Sequence, residues 1–225
     1  MAARCVPRTA KNCAKAGLTC CTGAVCLLAS AAVAGTRLEN AGVDALGLRL
    51  VEASLLQGDF VLRSGARSTW YLDKYRFETL PELLRGLGER LSQVARQVEP
   101  GAVLLGGPAV GAVALAASAS MASGLPFIII RDETKGYGTG NRVEGLFRPG
   151  DLVCLVEDVV TSGGALVEAV QAVRSAGLVV RHAVCVVDRE QGGTDALARI
   201  GVRLSSLYRA SALLAARGVE PDPAA

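Results

Sequence analysis

The chain has 225 residues, of which 51% are hydrophobic and 20% are charged, so it can bury the core of one α/β domain. Its net charge is +3, but five of the 24 basic residues precede the first acid, Glu39, leaving 19 bases against 21 acids. This balance argues against a nucleic-acid-binding surface, and a single histidine leaves little material for zinc sites or histidine-activated nucleophiles.

Residues 1–42 are the hardest part of the sequence to interpret. The segment begins with basic residues and contains an apolar run from Ala24 to Ala34, in which Ala32-Val33-Ala34 is similar to a signal-peptidase site. Three explanations are open: an export signal, an organelle transit peptide, or translation from a start upstream of the true one. The apolar run is too short for a transmembrane helix, so no membrane association is expected.

Two segments precede the predicted core. The apolar pattern of residues 43–57 predicts a short helix, and residues 58–77 read as two strands around Ser64-Gly65-Ala66. Together they form a small hood, at about residues 43–78. An amphipathic helix follows and ends near Pro100-Gly101, with Leu84, Leu87, Leu91, Val94 and Val98 at helical spacing.

Strands and helices then alternate along the chain. The predicted strands are Val103 to Gly106, Phe127 to Arg131, Leu152 to Glu157, Arg181 to Val187 and Val202 to Leu207. The predicted helices are Val110 to Ser123, Ala165 to Ala176, Thr194 to Ile200 and Arg209 to Arg217. This alternation predicts an α/β fold with a doubly wound parallel sheet, in which ligands bind at the carboxyl ends of the strands. The domain should span residues 43–217, with a tail at 218–225.

The first loop at that edge lies in LLGGPAVGAVAL, residues 104–115. Its glycines, Pro108 and the following helix would let backbone N–H groups approach an anion closely. Taken alone, the segment is equally compatible with a tight turn between a strand and a helix.

The second segment of interest is RDETKGYGTGNRVEG, residues 131–145. It is rich in glycine and charge and poor in apolar residues, so we expect a mobile excursion between two core strands. It is either a solvated loop or a lid that closes on a substrate.

The third segment is VCLVEDVVTSGGALVEAV, residues 153–170. An apolar strand places Glu157 and Asp158 at its carboxyl end, and Thr161, Ser162, Gly163 and Gly164 lead into a helix whose amino terminus can bind a phosphate. The two acids would accept hydrogen bonds from ribose-like hydroxyls, or hold Mg²⁺ directly or through water. The simpler alternative is a strand-to-helix turn capped by Ser or Thr.

This third segment resembles the phosphoribosyl-pyrophosphate (PRPP) signature of type I phosphoribosyltransferases: an apolar strand, two acids, two apolar residues and Thr-Ser/Thr-Gly-Gly. The resemblance implies that Glu157 and Asp158 contact the ribose hydroxyls. It also implies a 5′-phosphate cradle formed by Val159, Val160, Thr161, Ser162, Gly163, Gly164 and Ala165. Residues 104–115 resemble the pyrophosphate loop of the same family, with Gly107 and Pro108 in contact with PRPP.

Residues 131–145 resemble the catalytic loop of orotate phosphoribosyltransferases. The matching residues are Arg131, Glu133, Lys135 and Gly138, whereas Asp132 stands where a Lys is usual and Tyr137 where a His is common. By this resemblance Arg131 and Lys135 are catalytic, together with Asp158.

Two further segments resemble the orotate branch of the family. VCVVDREQGG, residues 184–193, contains Arg189, whose counterpart meets the orotate carboxylate in that branch. LRSGARSTWY, residues 62–71, is similar to Leu-Lys-Ser-Gly followed by Ser-x-x-Tyr, with Arg63 in place of the Lys. The implied substrate-binding residues are Arg189, Arg63, Tyr71 and Thr161. Without these resemblances, Arg189 would be read as a structural partner of Asp188 or another acid.

The resemblance implies an enzyme that converts orotate and PRPP to orotidine 5′-monophosphate and pyrophosphate. It further implies Mg²⁺ carried by PRPP without a direct protein ligand, a homodimer whose loop reaches the neighbouring site, and a cytoplasmic location, where PRPP is made. That location favours a mis-assigned start for residues 1–42, which we expect to be disordered. Two alternatives stay open: a phosphoribosyltransferase for another nucleobase, and a PRPP-binding regulatory protein without catalysis.

Overall fold

The computed structural model describes residues 42–61, 67–132 and 141–220. The helices are α1 Ala45–Ser54, α2 Lys74–Glu78, α3 Pro81–Val98, α4 Gly111–Ser123, α5 Gly164–Ser175, α6 Gly193–Arg199 and α7 Ala210–Ala215. The strands are β1 Leu55–Val61, β2 Arg67–Leu72, β3 Leu104–Pro108, β4 Phe127–Ile130, β5 Val143–Glu144, β6 Leu152–Val160, β7 Val179–Asp188 and β8 Arg203–Arg209. None of these helices is both long enough and apolar enough to cross a membrane.

Six strands form the central sheet in the order β5-β4-β3-β6-β7-β8. All neighbouring pairs are parallel except β4 and β5, so the predicted doubly wound α/β sheet is confirmed apart from this antiparallel edge. The chain moves outward from β3 to β4 and then returns to the other side of β3 as β6. This reversal creates a crevice at the carboxyl ends of β3 and β6, which is where open α/β sheets bind ligands.

Alternation along the strands explains why both faces of the sheet are covered. In β6, Cys154 and Val156 belong to the apolar core beneath α3 and α4, whereas Val153 and Leu155 belong to the core beneath α5. All four side chains are fully buried, as is Cys185 in β7. The prediction that Cys154 and Cys185 are small buried residues is confirmed.

The hood contains the antiparallel pair β1 and β2, a separate two-stranded sheet. Its inward-facing residues, Ser68, Trp70 and Leu72, are buried and alternate with exposed ones, and Trp70 and Leu72 join the apolar core that also contains residues of α1 and α3. The predicted amphipathic helix is confirmed as α3, which begins with a proline at its first position and buries one face.

Three details of the predicted fold were wrong. The first helix ends at Ser54 rather than near Gln57, because the backbone from Leu55 onward pairs with β2. The short helix α2 was missed. The segment 131–145 is not wholly an excursion, because Val143 and Glu144 form β5: Val143 is buried and pairs with Ile130 at the edge of the sheet.

Candidate active site

The acid pair lies within β6, the strand that is flanked by β3 and β7 in the sheet. The strand continues to Val160, so Glu157 and Asp158 are held by sheet pairing and are 8% and 2% exposed. The Asp158 backbone N–H donates to Glu157 Oε1 at 3.0 Å, and the Val159 N–H donates to Asp158 Oδ1. The predicted strand, Leu152 to Glu157, was therefore three residues too short, but the acid pair does face the crevice.

Asp158 also has a partner from the hood that the sequence did not reveal. The Lys74 ammonium, on α2, donates to Asp158 Oδ2 at 2.6 Å. A Cβ atom on Gly111 would lie 1.9 Å from that oxygen and 2.5 Å from Lys74 Nζ, so only glycine leaves room for the pair at the start of α4. A second acid of α2, Glu78, is 5% exposed and lies close enough to Asp158 to interact with it.

Crowding of these charges changes their protonation. Burial, followed by the charge of Asp158, raises the pKa of both Glu78 and Glu157 well above that of an ordinary glutamate. Burial opposes the charge on Lys74, but the hydrogen bond to Asp158 and the charges of Asp158, Glu78 and Glu157 together outweigh burial and raise the pKa of the ammonium. Lys74 is therefore a cation across the neutral pH range.

The glycine turn between β6 and α5 is shaped for close approach. Gly163 has φ +81° and precedes α5, a left-handed conformation that favours glycine. A Cβ atom there would lie 3.1 Å from the backbone of Gly193, so this turn packs directly against the first residue of α6. Thr161, Ser162 and Gly164 are exposed to the cleft, and among the described residues no side chain caps the amino terminus of α5. The turn can therefore receive an anion.

The loop between β3 and α4 lies on the other side of the acid pair. Gly107 is needed for packing, because a Cβ atom would lie 2.7 Å from the Cβ of Ala116 in α4. Pro108 and Gly111 line a small pocket together with Lys74 and Asp158. The same pocket is also lined by Arg131, which follows β4, and by Arg142, so three cationic side chains border it beside the start of α4.

The base of the predicted catalytic loop is fixed by backbone contacts. The Arg131 N–H donates to the Arg142 carbonyl at 2.8 Å, and Arg142 Nε donates to the Arg131 carbonyl at 3.2 Å. Asp132 is exposed and borders the small pocket and the larger cleft. Four residues of this loop that the sequence singled out lie outside the described residues: Glu133, Lys135, Tyr137 and Gly138.

Arg189 and Tyr71 both line the larger cleft. The backbone N–H of Arg189 donates to the Val160 carbonyl at 2.8 Å, and the guanidinium carbon of Arg189 lies 4.5 Å from the centre of the Trp70 ring. Tyr71 lines the cleft from β2 and packs against Phe60. Arg63 lies outside the described residues. Asp188 is occupied by the Glu190 N–H at 2.8 Å and the Thr194 hydroxyl at 3.2 Å.

The cleft and the small pocket meet at Glu157 and Val159. Two anion-accepting loops thus flank a pair of carboxylates, which suits a sugar that carries a phosphate group on either side. Among the described residues, no group of three or more His, Cys, Asp or Glu side chains is arranged to hold a metal ion.

The sequence identified both loops and the acid pair, but missed Lys74 and Glu78. One signal was present: the two residues are four positions apart, which places a cation and an acid on the same face of a helix. The residues around Lys74 gave no sign that this face packs against β6, a strand that begins 78 residues later in the chain.

Comparison with known proteins gives a consistent picture. No family model matches the chain. Over 157 residues it is 46% identical to the orotate phosphoribosyltransferase of Methanocella arvoryzae, covering 70% of this chain and 88% of the relative. The crystal structure of orotate phosphoribosyltransferase from Aeropyrum pernix is similar with a TM-score of 0.69 and 33% identity, over 76% of this chain and 97% of that one. The Mycobacterium tuberculosis H37Rv enzyme in complex with PRPP has a TM-score of 0.61 and 26% identity, over 75% and 96% of the two chains.

Proposed function

Because this chain belongs to the orotate phosphoribosyltransferase family, we propose that it transfers the 5-phosphoribosyl group of PRPP to orotate. The products are orotidine 5′-monophosphate and pyrophosphate, in the pathway that makes UMP. The observation that carries this proposal is the buried pair Glu157 and Asp158 between two glycine-rich, anion-accepting loops in one cleft. The names of the relatives favour this activity over another nucleobase or a regulatory role.

The two loops define how PRPP would lie. The turn from Thr161 to Ala165, reached through Val159 and Val160, would hold the 5′-phosphate with backbone N–H groups at the start of α5. The loop that contains Gly107 and Pro108 would hold the pyrophosphate at the start of α4. The ribose hydroxyls would then donate to Glu157 and Asp158.

Orotate would enter from the hood side of the larger cleft. The Arg189 guanidinium, held against Trp70, would pair with the orotate carboxylate, with Tyr71 alongside and Thr161 close to the junction of base and ribose. Arg63 would join from the hood hairpin, as the family resemblance implies.

The reaction needs charge stabilisation more than covalent chemistry. As the bond between C1 of the ribose and pyrophosphate loosens, positive charge grows on the sugar and negative charge on the leaving group. Asp158 and Glu157 would lie beside the sugar, whereas Arg131, and Lys135 from the loop, would neutralise the pyrophosphate.

Mg²⁺ would arrive as part of the PRPP substrate. Asp158 already accepts a 2.6 Å hydrogen bond from Lys74, which fits a metal that binds mainly substrate oxygens and meets the acid pair through water. When bound, the ion would supply charge neutralisation of the pyrophosphate.

A homodimer with a shared site is the proposed assembly, in the cytoplasm where PRPP is made. The family resemblance supports this assembly, in which the loop of one subunit reaches the site of its neighbour. Subunit mixing tests the shared site: Lys135→Ala and Asp158→Asn homodimers should each be nearly inactive. Mixed dimers should regain activity, because one of their sites is intact if the loop acts in the neighbouring subunit. No recovery would contradict action in trans.

The activity itself is tested by following the loss of orotate absorbance with saturating PRPP and Mg²⁺. We expect orotate to be consumed only when PRPP is present, and uracil or adenine not to replace it. Turnover with either of those bases but not with orotate would overturn the assignment.

A further inference from the structure

The Lys74 ammonium occupies an unusual place for a cation. It lies against the amino terminus of α4, where the helix dipole is positive and where no described side chain provides a cap. Arg131 and Arg142 line the same small pocket, together with four acids, Asp132, Glu157, Asp158 and Glu168. The only hydrogen bond from Lys74 to an acid in the described residues goes to Asp158, and it uses one of the three donors of the ammonium.

Exposure separates the two partners of this ion pair. The Asp158 side chain is 3% exposed, whereas that of Lys74 is 32% exposed and lines the small pocket. The ammonium can therefore keep its bond to Asp158 and still direct a second N–H toward a ligand in that pocket. An anion at this point would meet Lys74, Arg131 and the start of α4 together.

We propose that Lys74 is a PRPP-positioning residue, which neutralises Asp158 in the free enzyme and bridges Asp158 to the pyrophosphate group when PRPP is bound. The proposal rests on the function proposed above, because it identifies the occupant of the small pocket as pyrophosphate. The Lys74 ammonium would then contact two groups at once: Asp158, which binds the ribose, and the pyrophosphate, which is the leaving group. This arrangement also explains why Gly111 must lack a side chain.

The first test compares Lys74→Met with Arg76→Met by calorimetry with pyrophosphate and with PRPP. Arg76 is the matched control, because it lies on the same helix, has the same charge and pairs with Asp73 in an exposed ion pair. Lys74→Met should weaken both ligands by about 10-fold or more, the size of a lost charge-assisted hydrogen bond, with the orotate KM close to that of the parent. Lys74→Arg should recover part of the loss. Unchanged pyrophosphate binding in Lys74→Met would overturn the proposal.

A second comparison separates positioning from a purely structural role. If Lys74 serves only to neutralise Asp158, the Lys74→Met defect should disappear in an Asp158→Asn background. If Lys74 also contacts pyrophosphate, the double variant should still bind pyrophosphate less well than Asp158→Asn alone. Asp158→Asn by itself should bind pyrophosphate at least as well as the parent, because a negative charge has been removed beside the pocket.

A third measurement needs no variant and covers the case in which Lys74→Met does not fold. Acetylation of Lys74 by an amine-reactive ester, followed by mass spectrometry of its peptide, should be slowed by pyrophosphate and not by orotate. Equal acetylation with and without pyrophosphate would contradict the proposal. Because pyrophosphate binding and acetylation are measured without orotate turnover, they can fail while turnover by the parent succeeds, or succeed while turnover fails.

Discussion

Buried carboxyl groups at the two ends of the central sheet differ in their hydrogen bonding and in the direction of their pKa shifts. At the amino end of β7, Glu99 is 5% exposed and both of its oxygens are matched: Oε1 accepts from Arg181 Nη2 at 2.8 Å. Its Oε2 accepts from Arg181 Nε at 3.1 Å and from His182 Nδ1 at 2.9 Å. Burial opposes ionisation of Glu99, but these hydrogen bonds outweigh it and lower its pKa.

At the carboxyl end of the sheet, three buried carboxyl groups lie near a single ammonium group. Glu78, Glu157 and Asp158 lie around Lys74, and Glu78 Oε1 has no hydrogen-bond partner among the described residues. The pKa values of Glu78 and Glu157 are raised rather than lowered. Both oxygens of Glu99 are thus paired within the protein, whereas at the proposed site Glu78 Oε1 is left without a hydrogen-bond partner among the described residues.

The largest effect should come from the crowded end. Asp158→Asn should lower kcat/KM for PRPP by about 10²–10³-fold, the scale of one lost preorganised polar group, with a much smaller change in the orotate KM. Steady-state kinetics with each substrate varied in turn measure both. The matched control is Asp151→Asn, an acid before β6 that accepts from the Arg148 N–H. Equal losses for both substrates would contradict the ribose assignment.

Arg189→Ala tests the same end from the orotate side. Removing a charge-assisted pair of ~2–3 kcal/mol should raise the orotate KM by about 10²-fold, while PRPP affinity barely changes. Because Arg189 also lies over Trp70, a thermal melt should accompany the kinetics. If PRPP affinity fell as much as that of orotate, Arg189 would be a structural residue.

Glu99→Gln tests the paired end. Exchanging the carboxylate for an amide should reduce the free energy of unfolding by about 1–3 kcal/mol, and leave the PRPP KM unchanged. Denaturant unfolding of Glu99→Gln beside Glu82→Gln, whose ion pair with Arg49 is exposed, separates buried from surface pairing. If Glu99→Gln lowered the activity without lowering the stability, Glu99 would not be a purely structural acid, and the two ends of the sheet would not differ in the way described.

The smallest effect is the pH dependence of stability, which should have opposite signs at the two ends. The pKa of Glu99 is lowered, so its contribution is present above the unfolded value of 4.5 and is lost as the pH falls through the folded value. The pKa of Glu78 is raised, so its contribution is complete below 4.5 and is lost as the pH rises toward about 8.

Glu78→Gln should therefore flatten the decline of melting temperature between pH 4.5 and about 8, whereas Glu99→Gln should flatten the decline on the acid side. Melting curves recorded across both ranges measure this. The same slope in parent and Glu78→Gln would mean that Glu78 titrates normally.

Local sequence was sufficient for the parts of the site that are contiguous. An apolar run, two acids and a Gly-Gly turn describe β6 and its loop, because strand, crevice position and helix start all follow from neighbouring residues. The same holds for the loop after β3. The exact end of β6 was not predictable, because Val159 and Val160 are apolar enough to belong to a strand or a turn.

Contacts between distant segments could not be predicted in this way. Lys74 lies on a five-residue helix, too short to show a period, and meets Asp158 only after the hood has packed on the sheet. Similarly, β5 has two residues and exists because Val143 finds an apolar place beside Ile130. Both features depend on tertiary packing, which overrides local propensity.

Because Arg189 contacts Trp70, the intrinsic fluorescence of the enzyme can report the binding of a ligand to Arg189. Trp70 is the one tryptophan of the chain and is 6% exposed, so its emission arises from a single, largely dry environment. A guanidinium 4.5 Å from the ring perturbs the indole excited state, and a ligand that draws this cation away would change the quantum yield. Stopped-flow recording of that signal would time the arrival of the base, separately from the chemistry that follows, without any attached dye.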